Sequence, residues 1–159
     1  MNVTFRVLPI PDDIDIMQTV AVWSLEQWGA DFPDDSLDTY INLYKESVRA
    51  TSGIPRVLVA MNERNAPVGT ITFIADDDLP GAPEPGPWLA ALFVLPESRS
   101  NGVGQALVDA VIDHARLLGH HTLYLYTDEQ VSWYEALGWK CVRQAALANH
   151  EVTVMSLSL

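Results

Sequence analysis

The sequence predicts an α/β fold: a single domain with a mixed sheet of about seven strands and about four flanking helices. Three observations point there. Apolar residues recur with the helical period in some stretches and alternate as in strands in others. The two kinds follow one another as strand, two helices, three strands, helix, strand, helix, two strands. One stretch, WLAALFVLP at 88–96, is apolar almost throughout, as in a strand covered on both faces of a sheet.

Taken in order, NVTFRVL (2–8) alternates and stops at Pro9 and Pro11, which marks a first strand. Asp12 and Asp13 open a helix whose Ile16, Val20, Trp23 and Trp28 share a face and which ends near Gly29. A second helix, about 36–49, puts Leu37, Tyr40, Ile41, Tyr44 and Val48 on one side, with Ser36 or Asp35 as its cap. RVLVAM (56–61) and PVGTITFIA (67–75) are strands joined by NERNA, and DDDLPGAPEPGP is a proline-stiffened loop. After the apolar strand at 88–96 comes a glycine-containing turn. A helix of about 103–118 follows, with Val103, Leu107, Val111, Ile112, Ala115 and Leu118 as its stripe and Gly119 at its end. TLYLYT (122–127) is a strand, QVSWYEALG (130–138) a short helix closed by Gly138, and WKCVRQ and EVTVMSLSL are two closing strands expected to pair.

Composition bounds the function. With 48% apolar and 19% charged residues in a chain of 159, the protein has the material for a core and is not of the disordered class. The single cysteine, Cys141, rules out an intrachain disulfide and a thiolate metal cluster, and a reducing compartment is the simplest setting. No His, Cys or carboxylate group has metal-site spacing. Against 21 Asp and Glu stand 9 Lys and Arg, a net charge of -12. That field repels phosphate backbones and anionic lipid, and no local basic patch offsets it, so neither nucleic acid nor membrane is an expected partner. The apolar runs are too short to cross a bilayer and the N-terminus lacks a signal-peptide pattern, so a soluble, cytoplasmic protein is expected. A cationic substrate would be drawn in, although acidity for solubility alone gives the same balance. The apolar closing strands would also suit a homodimer.

The stretch RSNGVGQAL (99–107) carries the chemistry. Between a strand and a helix, bare amide hydrogens and partial positive charge suit a phosphate, and Gly102 and Gly104 let the backbone approach it. Glycine pairs also occur at such turns for packing alone. A dinucleotide fingerprint fails because its third glycine would fall at Leu107, and no Gly-Lys-Ser or Gly-Lys-Thr exists for a triphosphate loop. Arg99-x-x-Gly102-x-Gly104, entered from the apolar strand ending at Pro96, resembles the acetyl-CoA pyrophosphate loop of the GNAT N-acetyltransferase superfamily. Farther on, LYLYTDEQVSWYEALGW (123–139) is similar to that family's second signature. Ser100, Thr127 and Val131 depart from the common spelling, where glycine, asparagine and alanine are frequent, but none removes a backbone donor.

The resemblance implies acetyl-CoA in a cleft between splayed central strands. Leu92, Phe93 and Val94 would pair with its pantetheine arm, and the N–H of Phe93 or Val94, at a bulge, would meet the thioester oxygen. Arg99, Ser100, Asn101, Gly102, Val103 and Gly104 would hold the pyrophosphate, with Thr127 at the end of the neighbouring strand. Tyr134 would be the general acid for the departing thiolate, while Trp133 reads as packing. The strand WLAALFVL has no carboxylate, so the base for the amine is left open among Asp78, its neighbours Asp76 and Asp77, Glu26, or a water, with Asp78 favoured for substrate binding. Three aspartates in a row are also ordinary turn residues. His114, His120 and His121 read as helix-end charges. Among Trp23, Trp28, Phe32, Tyr40, Tyr44 and Trp88, one or two would line an acceptor pocket and the rest pack the core. The implied activity is acetyl transfer to a small cationic amine, a peptide N-terminus or a lysine. The alternatives are a non-catalytic acyl-CoA sensor or interaction module, and a nucleotide-binding fold unrelated to acetyl transfer.

Overall fold

Asp13 starts the first helix by accepting the amide hydrogens of Asp15 and Ile16, at 2.9 and 3.3 Å, which satisfies two of the donors a helix start leaves bare. From there the computed structural model, which describes residues 4–159, follows the expected order. The elements are β1 (Phe5–Pro9), α1 (Ile14–Trp28), α2 (Leu37–Arg49), β2 (Arg56–Asn62), β3 (Pro67–Ile74) and β4 (Trp88–Val94). After a 3-10 turn at Pro96–Ser98 come α3 (Val103–Leu117), β5 (Thr122–Thr127), α4 (Val131–Ala136), β6 (Lys140–Leu147) and β7 (His150–Ser158). Of the first expected strand, Asn2 and Val3 lie outside the described residues.

The strands form one sheet in the order β1-β2-β3-β4-β5-β7-β6, antiparallel except where β4 meets β5. Strand alternation divides the core between its faces. On β2, Val57, Val59 and Met61 pack with α1 and α2, whereas Leu58 and Ala60 join Leu107, Val108 and Val111 of α3. On β5, Leu123 and Leu125 belong to the α3 side with Tyr134 of α4, and Tyr124 and Tyr126 pack on the opposite side, around Trp88.

The sheet splits in the middle. Parallel β4 and β5 are paired only at Trp88 and Tyr124, and beyond that point they diverge. Strand β4 also carries a bulge: Thr70 faces Phe93 and Thr72 faces Ala90, so Ile71 opposes both Ala91 and Leu92. Ala91 takes a positive φ of 53° there. This corrects the expectation that 88–96 is covered on both faces. Trp88, Leu89 and Ala90 are buried, but Ala91 to Val94 are only half-buried, because the split exposes the edge of β4 that a neighbouring strand would otherwise cover.

The proline loop between β3 and β4 is held in place rather than free. Leu79 is buried beside Trp88, Leu147 and Val152. The Arg143 guanidinium of β6 donates to both carboxylate oxygens of Glu84, at 3.1 and 2.6 Å.

Candidate active site

The split opens a cleft of about 1060 Å³ lined by both strand edges, the turn ahead of α3, α4, and the loops that follow α1 and β3. At one end stands the glycine turn. Ser100 and Gly102 have positive φ values of 63° and 82°, which lift the chain out of the 3-10 turn and into α3. No side chain caps α3, and its first internal bond is from Ala106 to the Gly102 carbonyl, 3.0 Å. The N–H groups of Val103, Gly104 and Gln105 are therefore left without helical partners, at the positive end of the helix dipole. A Cβ built on Gly102 meets nothing within 4 Å, so the space beside that backbone is open. Arg99 lies over the Phe93 ring at 5.8 Å and donates from Nε to the Val94 carbonyl at 2.9 Å, which leaves its two terminal nitrogens for a ligand.

That bond also fixes how β4 faces the cleft. Leu95 donates to Val68 of β3 at 2.9 Å, so the Val94 carbonyl points the other way, toward Arg99 and the split. Peptide groups alternate along a strand, which turns the Val94 N–H to the cleft and the Phe93 N–H to β3. Of the two donors considered from sequence, Val94 has the orientation for a ligand in the split, and the bulge itself lies earlier, at Ala91 and Leu92.

Tyr134 reaches the cleft from the α3 side of the sheet. Its ring is 6% exposed and is held edge-on between Trp133, at 4.9 Å, and Trp139, at 5.8 Å. Burial pushes the phenol above its ordinary pKa, so it carries its proton at neutral pH. Trp133 also lies 3.6 Å from the Cβ position of Gly104, ordinary packing distance between α4 and the start of α3. Thr127 lines the cleft and accepts the Gln130 N–H on its hydroxyl at 3.2 Å, which shapes the turn into α4.

The other end of the cleft is acidic. Asp31, Asp35, Asp76, Asp77, Asp78 and Asp128 all line it. Asp76 accepts the Asp78 N–H at 2.9 Å and so builds the turn, and Asp78, at φ 55°, is exposed. Asp77 is the half-buried one. Burial, then the Asp78 and Asp76 charges, hold its carboxyl well above the usual carboxylate range. The Tyr126 hydroxyl donates to the Asp77 backbone carbonyl at 3.1 Å, and Tyr40 donates to Asp35 at 3.1 Å. His150, at the start of β7, bonds Asp31 at 2.8 Å across the mouth, and that bond raises its pKa.

Of the residues singled out from sequence, Leu92, Phe93, Val94, Arg99, Ser100, Gly102, Val103, Gly104, Thr127, Tyr134 and Asp78 come together around this cleft. Two do not. Glu26 is exposed on α1, a residue before the Gln27 and Trp28 that line the cleft, because the helical turn carries it away. Asn101 is spent on the turn itself, its amide donating to the Ser98 and Arg99 carbonyls at 3.3 and 2.9 Å. Trp28, Phe32, Tyr40 and Tyr44 line the cleft, whereas Trp23 packs at a tilt of 37° against Phe93, 5.5 Å between ring centres. His114 is no simple helix-end charge; it bonds the Gly53 carbonyl at 2.7 Å and meets Phe73 edge-on. Sequence reading missed Asp31, Tyr126, Gln105 and His150. Of these, Gln105 alone has a local signal, as the residue after the glycine pair, whereas His150 and Asp31 meet across 119 residues.

This architecture is that of acetyltransferases. Aminoglycoside 6'-acetyltransferase type Ii superposes with a TM-score of 0.74 at 20% identity, covering 96% of each chain. An aminoglycoside 6'-N-acetyltransferase crystallised with coenzyme A gives 0.73 at 17% identity, again covering 96% of each. An uncharacterised N-acetyltransferase of Schizosaccharomyces pombe is 25% identical over 143 residues, 87% of this chain and 83% of its own. Residues 17–139 match the model of the acetyltransferase (GNAT) family. The chain belongs to that family and is an N-acetyltransferase.

Proposed function

We propose that this protein transfers the acetyl group of acetyl-CoA to a primary amine by direct attack in a ternary complex, with a small cationic amine, a peptide N-terminus or a lysine as acceptor. The observation that carries this reading is the uncapped start of α3 opening onto the split between β4 and β5, with a protonated, buried tyrosine beside it. The residues present suit the cofactor. The N–H groups of Val103, Gly104 and Gln105, with the terminal nitrogens of Arg99, would hold its pyrophosphate. When bound, acetyl-CoA supplies an activated acyl carbon and a thiolate leaving group. The Val94 N–H, which faces the split, would stabilise negative charge on the thioester oxygen. The Tyr134 phenol would supply the proton that the departing sulfur takes up. Asp78, exposed at the rim among the carboxylates, would help bind a cationic acceptor.

Acetyl-CoA consumption is measured with ethylamine, putrescine, spermidine and lysine-bearing peptides, for the wild type and Tyr134→Phe. Turnover with at least one amine is expected, along with a fall of about 10²-fold or more in kcat for Tyr134→Phe while coenzyme A still binds. A protein that binds coenzyme A but acetylates no amine would instead be the acyl-CoA sensor.

A further inference from the structure

Asp77 holds a carboxyl group that nothing among the described residues neutralises. The ion pairs of the structure join Arg143 to Glu84, Arg116 to Asp113, and His150 to Asp31 and Asp128; none reaches Asp77. The titratable groups shown to face it are acidic or phenolic. Its own loop contributes Asp76 and Asp78, β5 contributes Tyr126 and α2 contributes Tyr40, while Asp31 and Asp35, both from the loop between α1 and α2, line the same cleft. His150, the nearest group able to carry positive charge on β7, is committed to Asp31 at 2.8 Å. Yet Asp77 is not loose: the Tyr126 hydroxyl fixes its backbone carbonyl over β5 at 3.1 Å. A half-buried carboxylate without a cation is costly unless a ligand supplies one.

We propose that Asp77 is the group in this cleft that meets the acceptor's ammonium and takes its proton. The inference rests on the amine-acetylation reading above and deepens it. One N–H bond of the ammonium breaks and one O–H bond forms on the Asp77 carboxyl. Opposite charges become a neutral pair, and the nitrogen lone pair is freed for attack. The proton then leaves Asp77 to water through the open rim of the cleft. Asp76 and Asp78 do not share this position, since one builds the turn and the other is exposed. The tyrosine that serves the leaving group belongs to the α3 side of the sheet, and Tyr126, which holds Asp77, to the opposite side. Proton uptake and proton delivery thus approach the split from different faces.

Two measurements decide the matter. In the first, the side-chain carboxyl ¹³C signal of Asp77 is titrated by NMR in the wild type, alone and with spermidine but no acetyl-CoA. Titration above the ordinary aspartate value of about 3.9 is expected, with spermidine lowering its proton affinity about tenfold or more. Titration in the ordinary range, unmoved by spermidine, overturns the proposal. In the second, kcat is followed against pH with the amine that turns over fastest. Asp77→Asn is expected to lose about 10²-fold or more at neutral pH and to lose the acidic limb of the profile, with the KM for acetyl-CoA unchanged and Asp77→Glu recovering part of the rate. An Asp77→Asn enzyme that keeps both its rate and its acidic limb overturns the proposal, while the transfer reading stands. Failure of the wild type to acetylate any amine overturns the transfer reading, and the NMR titration still decides whether Asp77 binds an ammonium.

Discussion

Gly102 and Gly104 are separated by one residue but do different work. Gly102 needs its positive φ of 82° and faces open space, whereas Gly104 has no such need, and a Cβ there would rest in ordinary contact with Trp133 at 3.6 Å. Gly102→Ala is therefore expected to lose about 1–2 kcal/mol of stability from backbone strain and to weaken coenzyme A binding. Gly104→Ala should fold nearly as well as the wild type, and paired denaturant melts with coenzyme A titrations check both. The pair was legible in the sequence, along with Arg99 and Tyr134, because the loop and the short helix are local patterns with fixed spacing. The special role of Asp77 was not. In a run of three aspartates all look like turn residues, and what singles one out is its cover by Tyr126, 49 residues farther on.

The glycine turn has its meaning only because β4 and β5 part company just beside it. An apolar run such as WLAALFVL reads as a fully covered strand, and nothing in its composition distinguishes a continuous sheet from a split one. The divergence comes from the bulge at Ala91 and Leu92 and from a β5 that pairs with β7 along its whole length but with β4 at one residue. The loop before β4 depends on a distant contact as well, the Arg143 to Glu84 pair. Arg143→Ala leaves a carboxylate that is 8% exposed without its partner, at an expected cost of about 1–2 kcal/mol at neutral pH. The bond to Arg143 lowers the Glu84 pKa in the folded state, so its contribution is fully present above the unfolded value of about 4.3 and is lost as pH falls through the folded one. Melts of the two proteins should accordingly converge in acid.

The whole chain combines a legible outline with a hidden polarity. Element order, the single sheet and the two helical faces follow from periodicity, since each face must be covered by apolar stripes. The net charge of -12 also shows in the sequence, but not where it gathers. Folding brings Asp31 and Asp35, Asp77, and Asp128 from three segments to one end of the cleft, and leaves the bare donors of α3 and Arg99 at the other. On the proposed reading, the two ends would take the two substrates, the anionic cofactor at one and a cationic acceptor at the other. No helix in the described residues is long and apolar enough to cross a membrane. The most direct test of this account is thermal unfolding with and without acetyl-CoA, ATP and NAD. At about 100 times its dissociation constant, acetyl-CoA should contribute about 2.7 kcal/mol and raise Tm by roughly 5–10 °C, with no comparable effect from the two nucleotides. A melting temperature unchanged by saturating acetyl-CoA would contradict the account at its centre.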